Sequence, residues 1–277
     1  MKRLGQHFLK NKEVLAGIVE QLDLRKGDTV VESGPGHGEL TGELVNKFSS
    51  LKVSKFRLIL IEKDKELVEE LALRFKLLDL SKNIEVITGD ILKILPTLSE
   101  SYNLKAKSYK LVGNIPYYIT GYLLRILGKL LHKPEKIVLL VQKEVAERVC
   151  ATPPRMNLLA ASVQFWAQPA IMRYVGRKDF DPVPHVDSAV LQFITGYGLQ
   201  ATTEEENRYY QLVKALFKQP RKTILNNLAS RMGKEGVMEI LGKSGVDPGG
   251  RPQDLSVQKI KELAENAPVV VAGLVEE

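Results

Sequence analysis

The chain has 277 residues, enough for one large domain and a smaller one, and its 44% hydrophobic and 26% charged residues are typical of a globular protein. The net charge of +7 favours a polyanionic partner such as a nucleic acid, while the single cysteine excludes an internal disulfide. The four histidines lack metal-ligand spacing, no secretory leader is visible, and the apolar run at 268–275 is too short to cross a bilayer. We therefore expect a cytoplasmic protein with no metal and no membrane segment.

The first half of the chain alternates short apolar runs with helical patterns. Asn11 can cap a first helix that extends to about Asp23. Strands are predicted at 28–33, 57–62, 84–89, 109–114 and 136–142, and helices between them at 39–48, 65–75 and 121–131. Continuous apolar strands that alternate with amphipathic helices predict an α/β fold with a parallel sheet covered on both faces.

The pattern changes after Cys150. Two long apolar stretches, 162–175 and 188–195, are joined by a proline-rich loop and predict an antiparallel pair at the sheet edge. From about Thr203 the chain is polar and helical, with short helices predicted at 205–219, 223–232, 237–245 and 257–266. We therefore expect two domains, 1–200 and 201–277.

A glycine-rich loop follows the first strand of the sheet. The sequence VVESGPGHGELT at 30–41 places Gly34, Gly36 and Gly38 between a strand and a helix. Glycines there let the backbone approach a ligand, and the helix N-terminus adds N–H donors. The spacing differs from the G-x-G-x-x-G of dinucleotide-binding loops, which argues against a nicotinamide enzyme. A glycine turn without a ligand remains the alternative.

Two acidic residues stand where the next strands end. A carboxylate at Glu62 can accept both hydroxyls of a ribose, and one at Asp90 can accept from the exocyclic amine of adenine. Either residue alone could equally be a solvated charge at a strand end. Because the carboxyl ends of parallel strands meet at one edge of the sheet, the loop and both acids together favour a nucleoside-bearing cofactor. Without a pyrophosphate-binding pattern, S-adenosylmethionine is the best candidate.

The sequence GNIPYYIT at 113–120 ends the fourth strand at the same edge. The Asn114 side-chain oxygen and a carbonyl of the turn at Pro116 could accept from the N6 amine of an adenine and make its nitrogen more nucleophilic. Pro116 would stiffen that carbonyl, and Tyr117 could stack on the base, which must first leave its stack. A proline turn with a packed tyrosine is the alternative.

These motifs resemble those of the ribosomal RNA small-subunit adenine dimethyltransferase family, of the KsgA/RsmA type. The resemblance covers nearly the whole chain and rests on RLGQHFL (3–9), ESGPGHGELT (32–41), LIEKD (60–64), GD (89–90), GNIPYYIT (113–120), LVQKEVAERV (140–149), FDPVPHVDSAV (180–190) and FKQPRKTILNNL (217–228). The last two segments are more specific than the glycine loop, which many methyltransferases share.

The resemblance implies a Rossmann-like class I methyltransferase sheet with a small all-helical C-terminal domain. It implies transfer of two methyl groups from S-adenosylmethionine to N6 of each of two adjacent adenosines near the 3′ end of 16S (small-subunit) rRNA. The implied partner is the immature 30S-type ribosomal subunit, and the implied state of the protein is a monomer.

The resemblance also assigns residues to the cofactor. Gln6, His7 and Leu9 would form an N-terminal lid, Gly34 and Gly36 would support the methionine end, Glu62 would bind the ribose, and Asp90 with Ile91 would bind the adenine. Asn114 would touch both the cofactor and the target amine, with Tyr117 beside it. Phe180 would stack on the target base from the opposite side, although it could equally be a packing anchor in its loop.

RNA contacts and two alternative functions remain open. Lys143, Arg148, Arg221 and Lys222 could bind phosphates, although each could equally belong to an ordinary solvated basic face. One alternative is a resistance-type enzyme that methylates large-subunit (23S) RNA, against which the segments at 180–190 and 217–228 argue. The other is an assembly factor that binds immature small subunits and whose methylation is secondary.

Overall fold

The computed structural model describes residues 7–52, 55–78, 80, 82–102, 104, 109–196 and 202–267. Their strands are β1 (Phe8–Leu9), β2 (Thr29–Ser33), β3 (Arg57–Glu62), β4 (Ile84–Thr88), β5 (Tyr109–Asn114), β6 (Lys136–Gln142), β7 (Ala167–Val175), β8 (Phe180–Asp181) and β9 (Ser188–Thr195). Their helices are α1 (Lys12–Gln21), α2 (Glu39–Ser50), α3 (Lys65–Leu77), α4 (Ile91–Ser101), α5 (Thr120–Lys129), α6 (Lys143–Val149), α7 (Leu158–Gln164), α8 (Thr203–Leu216), α9 (Ile224–Lys243) and α10 (Val257–Asn266).

Seven strands form one sheet in the order β4-β3-β2-β5-β6-β9-β7, and β1 pairs with β8 in a separate two-stranded sheet. Strands β2 to β6 pair in parallel, and β9 is antiparallel to β6. The chain moves outward from β2 to β3 and β4, then returns to place β5 on the other side of β2. This reversal makes the β2–β5 gap the switch point, where ligands of such sheets bind.

The register of the sheet brings the strand ends level. Ser33 at the end of β2 pairs with Ile61 on one side and with Gly113 on the other. Glu62 in turn pairs with Thr88 at the end of β4. The glycine loop, the acid that ends β3 and the loop after β5 therefore leave the sheet at one edge.

The central strands are apolar because both faces of the sheet are covered. Leu58, Ile59 and Leu60 of β3 are fully buried, as is typical of strands in a parallel sheet between two helical layers. Helix α1 contacts α2, and α4 contacts α5. Right-handed crossovers place α2 and α3 on one face of the sheet and α4 and α5 on the other.

The described residues cluster into two units by their contacts. The described residues of one unit fall within 1–147 and 168–196, and those of the other fall within 148–167 and 197–277. This division groups 148–167 with the helical C-terminal residues, whereas the predicted boundary at residue 200 places them in the first domain. The two-domain boundary stays a prediction. No helix in the described ranges is both long and apolar enough to span a membrane.

Most predicted elements of the sheet are confirmed, but residues 162–166 are not extended as predicted. Residues 162–164 end α7, and 165–166 form a turn before β7. Helix α7 begins because the Asn157 side chain accepts from the N–H groups of Leu159 and Ala160 at 3.0 Å. Helix α4 was not predicted because Pro96 lies inside it. In α9, two predicted helices meet at Gly233, where a φ of 72° breaks the helical path.

Candidate active site

The glycine loop after β2 turns sharply and is covered by an aromatic ring. Gly34 and Gly36 have φ values of 66° and 61°, which glycine adopts without a steric penalty. The Gly34 N–H donates to the Ile61 carbonyl at 2.9 Å. A Cβ atom at Gly36 would lie 2.6 Å from the ring of Phe8. Glycine is therefore required at position 36 for the N-terminal segment to lie this close.

Glu62 is buried at the end of β3, and backbone N–H groups already surround it. Its Oε1 accepts from Lys63 at 2.8 Å and from Asp64 at 3.0 Å, and its Oε2 accepts from Gly36 at 3.1 Å. A carboxylate offers about four acceptor positions. One position is therefore left for a ribose hydroxyl in this conformation, rather than the two that the sequence-based prediction assumed.

Asp90 is a partly exposed carboxylate between β4 and α4. Its Oδ1 accepts from the Leu92 N–H at 3.0 Å, and its Oδ2 accepts from the Lys63 ammonium at 3.2 Å. Partial burial alone would raise the pKa of Asp90, but these two partners together lower it below its usual value. Asp90 therefore stays ionised and keeps acceptor capacity for an exocyclic amine.

A cleft of about 320 Å³ joins these residues at the switch point. It is lined by Ser33, Gly34, Ile61, Glu62, Lys63, Gly89, Asp90, Ile91, Leu92, Pro116, Tyr118, Ile119 and Tyr122. Its size and its mix of apolar walls with carboxylates are those of a small-molecule site. Tyr118 and Tyr122, which are 64% and 62% exposed, were not among the sequence-predicted site residues. Their i,i+4 spacing directly after the NIPY motif was the signal.

Asn114 ends β5, and the N-terminal segment fixes its orientation. Its Nδ2 donates to the backbone carbonyl of His7 at 2.7 Å. Because a carbonyl can only accept, the amide nitrogen must face His7, and the side-chain oxygen lies on the other branch. The side-chain oxygen of Asn114 can therefore accept a hydrogen bond from a substrate amine.

The N-terminal segment is attached to the loop that contains β8. Phe8 pairs with Asp181 and Leu9 pairs with Phe180. The His7 Nδ1 lies 2.8 Å from the Pro182 carbonyl and therefore donates to it. The predicted lid residues His7 and Leu9 thus lie next to the candidate site, and the predicted role of Gln6 lies outside the described residues.

Phe180 does not line the cleft at the switch point. Its side chain is 3% exposed and packs in the hydrophobic core with Leu9, Val175 and Val190. In this conformation it offers no face to a base, so the predicted stacking role of Phe180 is not supported. The packing-anchor alternative accounts for its position, because an apolar ring beside other apolar side chains is stabilised by burial.

Tyr117 lies beside Asn114 in a cavity of about 40 Å³ lined by His7, Phe8, Gly34, Gly36, Asn114, Ile115, Pro116 and Tyr117. Its hydroxyl lies 2.8 Å from the Ser188 Oγ, and its ring is stacked with the His7 ring at 6.0 Å between centroids. Burial raises the pKa of Tyr117, with a smaller contribution from the nearby Asp187 carboxylate. In this conformation the cavity is smaller than a nucleobase.

Glu32, like Tyr118 and Tyr122, is a residue near the site that was not among the sequence-predicted site residues. It lies in β2 directly before the glycine loop, is 1% exposed, and accepts from the Thr41 hydroxyl at 2.7 Å. Burial raises the pKa of Glu32 to about 8, and the nearby Glu39 and Glu62 add to this. The carboxyl is therefore mostly neutral at pH 7. An acid inside the apolar run TVVES was the available signal.

The candidate RNA-binding residues are exposed cations. Lys143 begins α6, where its ammonium lies 5.2 Å from the centre of the Tyr174 ring, and Arg148 is in the last turn of the same helix. Arg221 and Lys222 are exposed in the turn between α8 and α9. Exposed cations suit phosphate contacts, which are made at the surface.

The sheet order, the glycine loop and the cleft at the switch point define a Rossmann-like methyltransferase fold with a helical C-terminal region. Two solved structures share it over most of their length. A dimethyladenosine transferase from Plasmodium falciparum has a TM-score of 0.76 at 24% identity, over 93% of this chain and 96% of that one. The 23S rRNA methyltransferase ErmE has a TM-score of 0.71 at 24% identity, over 94% and 98%.

A family model described as ribosomal RNA adenine dimethylase matches residues 1–267, and the chain belongs to this family. A ribosomal RNA small subunit methyltransferase A from Dehalococcoides mccartyi is 38% identical over 95% of this chain and 86% of its own length. Proteins with the same name are 33% identical in Pelotomaculum thermopropionicum, over 96% and 90%, and 32% identical in Mycoplasma capricolum, over 95% and 95%. Membership in a methyltransferase family implies S-adenosylmethionine as the methyl donor.

Proposed function

We propose that this protein transfers two methyl groups from S-adenosylmethionine to N6 of each of two adjacent adenosines near the 3′ end of 16S (small-subunit) rRNA. The observation that carries the proposal is the position of Asn114 in the cavity with Tyr117. Gly34 and Pro116 line both that cavity and the cleft of Glu62 and Asp90. A donor bound in the cleft and a target base held at the opening of that cavity would therefore meet at Asn114. The choice of the small subunit rests on the names of the relatives.

The cleft residues would hold the methyl donor by its nucleoside. The remaining acceptor position of Glu62 suits one ribose hydroxyl, the ionised Asp90 suits the adenine amine, and Ile91 supplies an apolar wall. Gly34 and Gly36 let the backbone approach the methionine end. When bound, S-adenosylmethionine supplies an electrophilic methyl group on its sulfonium.

Asn114 and the following turn would bind the target amine. The Asn114 side-chain oxygen and the Ile115 carbonyl would accept its two hydrogens, which draws the nitrogen lone pair out of the ring. The Pro116 carbonyl already accepts from the Ile119 N–H at 3.0 Å, which makes Ile115 the better candidate. Catalysis is then mainly positioning and electrostatic stabilisation.

Tyr117 would stack on the base and keep its proton. Burial raises the pKa of its hydroxyl, so it is neutral at pH 7 and does not act as a general base. A strong base is not required, because the methylated amine is acidic enough to lose its proton to water. The predicted contribution of Tyr117 is therefore the ring, which holds the flipped base in place.

The remaining parts of the proposal concern partners and location. Lys143, Arg148, Arg221 and Lys222 would contact RNA phosphates, and the substrate would be an immature 30S-type subunit. The protein would act as a monomer in the cytoplasm, without a metal ion. Residues 1–200 would form the methyltransferase domain and 201–277 the helical domain.

The test is to incubate the protein and labelled S-adenosylmethionine with small subunits that lack the modification, and with large subunits in parallel. Mass spectrometry of the nucleosides then identifies the product. Dimethyladenosine from small subunits alone is the expected result. Label in large subunits would replace the proposal with the resistance-type activity, and tight small-subunit binding without label would replace it with an assembly factor.

A further inference from the structure

The side-chain amide of Asn227 is buried next to a basic turn between α8 and α9. The segment 217–223, between α8 and α9, has the sequence FKQPRKT, with three cations and no acid. Lys218, Arg221 and Lys222 are all exposed. Asn227, one turn into α9, is only 6% exposed. We call residues 217–223 the basic turn.

The Asn227 side chain bonds both ends of the basic turn. Its Oδ1 accepts from the Gln219 N–H at 3.1 Å, and its Nδ2 donates to the Gln219 carbonyl at 3.1 Å. The same Nδ2 lies 3.2 Å from the Lys222 carbonyl and 3.1 Å from the Thr223 carbonyl. An amide that both donates to and accepts from one residue holds that backbone as a neighbouring strand would.

These bonds matter because most other hydrogen bonds of the basic turn only join its ends to the flanking helices. The Phe217 and Lys218 N–H groups donate to carbonyls of α8, and Thr223 accepts from the first turn of α9. Within it, the Lys222 N–H donates to the Gln219 carbonyl at 2.9 Å. Without the Asn227 amide, the Gln219 N–H and the Lys222 carbonyl would have to find water, and the turn would gain conformational freedom. The Gln219 and Thr223 carbonyls would keep the N–H groups of Lys222 and Asn227. Cations on a mobile turn lose affinity for RNA, because binding must then order them.

We propose that Asn227 is a positioning residue for RNA binding, which holds the basic turn so that Lys218, Arg221 and Lys222 meet the phosphate backbone together. This inference rests on the proposed function, because it assumes that the basic turn binds RNA. Asn227 itself is buried and does not touch the RNA. Its effect should therefore depend entirely on the three cations.

The chain supplies a matched control next to Asn227. Asn226 lies in the same first turn of α9 and is exposed. We expect Asn227→Ala to weaken binding to unmethylated small subunits about tenfold and to lower the slope of log affinity against log salt by about one to two units. It should raise KM for small subunits and leave kcat and S-adenosylmethionine affinity unchanged. Asn226→Ala should bind as the wild type does.

A double-mutant cycle separates positioning from a general structural effect. The triple variant replaces Lys218, Arg221 and Lys222 with alanine, and we expect it to bind small subunits about a hundredfold more weakly. Adding Asn227→Ala to the triple variant should then cost no further affinity. An equal loss in both backgrounds, wild-type binding by Asn227→Ala, or a matching loss in Asn226→Ala would each overturn the proposal.

Folding and the proposed function are checked separately. If Asn227→Ala does not fold, as judged by circular dichroism, Asn227→Ser replaces it, because a serine hydroxyl can donate to the Thr223 carbonyl four residues back but cannot reach Gln219. Failure of both to fold would make Asn227 a folding residue and overturn the proposal. Wild-type binding by the triple variant would refute the RNA role of the basic turn, and the inference with it. Absence of methylation by the wild type would refute the proposed function alone.

Discussion

The amide of Asn114 donates to the backbone carbonyl of His7 at 2.7 Å, across 107 residues of sequence. This bond joins the loop after β5 to the N-terminal strand β1, which in turn pairs with β8. The segment that would cover the cofactor therefore also orients the acceptor for the target amine. The position of the N-terminal segment and the orientation of the Asn114 side chain therefore depend on each other.

We expect Asn114→Ala to lower the rate of methyl transfer by about 10²- to 10³-fold, because a positioned acceptor at the reacting amine is lost. Asn114→Asp should lose as much, since a carboxylate keeps the shape but cannot donate to His7. Single-turnover transfer to small subunits measures the rate, and filter binding should show that both variants still bind subunits. The distant Asn226→Ala serves as the control. Wild-type transfer by Asn114→Ala would mean that Asn114 is wrongly assigned.

The role of Tyr117 is divided between its ring and its hydroxyl. Tyr117→Phe removes the 2.8 Å contact with Ser188, which is worth on the order of 1 kcal/mol, and should slow methylation only a few-fold. Tyr117→Ala also removes the stacking surface, worth about 1–3 kcal/mol per base, and should cost about 10- to 100-fold. Comparing kcat/KM for small subunits tests the order. An equal loss of kcat/KM in the two variants would show that the hydroxyl of Tyr117, and not its ring, contributes to methylation.

Gly36→Ala should disturb the cover of the glycine loop. A φ of 61° costs a non-glycine residue about 1–2 kcal/mol, and the new Cβ would lie 2.6 Å from the Phe8 ring. We expect a lower thermal midpoint and weaker binding of S-adenosylmethionine, measured by calorimetry. Gly17→Ala in α1 is the control, because a Cβ there meets nothing within 4 Å and alanine favours the helix. An unchanged donor affinity in Gly36→Ala would show that this loop does not hold the donor.

Glu32 should make the stability of the protein depend on pH. Its pKa is about 8 when folded and 4.5 in the reference state, so between these values the folded protein binds more protons than the unfolded chain. Stability therefore falls as pH rises from 4.5 towards 8. Glu32→Gln has no proton to lose.

We expect Glu32→Gln to be more stable than the wild type at about pH 8.5 by on the order of 4–5 kcal/mol, and to differ little near pH 4.5. Urea unfolding at the two pH values measures the difference. Glu69→Gln, exposed on α3, controls for the exchange of a carboxylate for an amide. A gap that does not grow with pH would show that Glu32 is ionised in the folded protein.

The pattern of apolar residues predicted the strands whose bounds depend mainly on their own sequence. The bounds of β3, β5 and β6 match the apolar runs at 57–62, 109–114 and 136–142, because a strand buried on both faces reads as a continuous apolar run. Pro96 concealed α4, since a proline inside a helix usually ends it. The two-residue strands β1 and β8 have no pattern of their own and exist only as each other's partner.

The sequence by itself determined that a glycine loop, two strand-end acids and the NIPY motif leave a parallel sheet at one edge, because strand direction and the alternation of helices and strands impose this. Only the tertiary structure decided which hydrogen-bond and packing partners those groups have. Three backbone N–H groups donate to the Glu62 carboxylate, and Phe180 is buried in the hydrophobic core. The Asn114 amide is oriented by its hydrogen bond to the His7 carbonyl. The Gly36 N–H at Glu62, the core around Phe180 and the His7 carbonyl at Asn114 come from segments far apart in the chain, which meet only when the sheet register and the N-terminal strand are both formed.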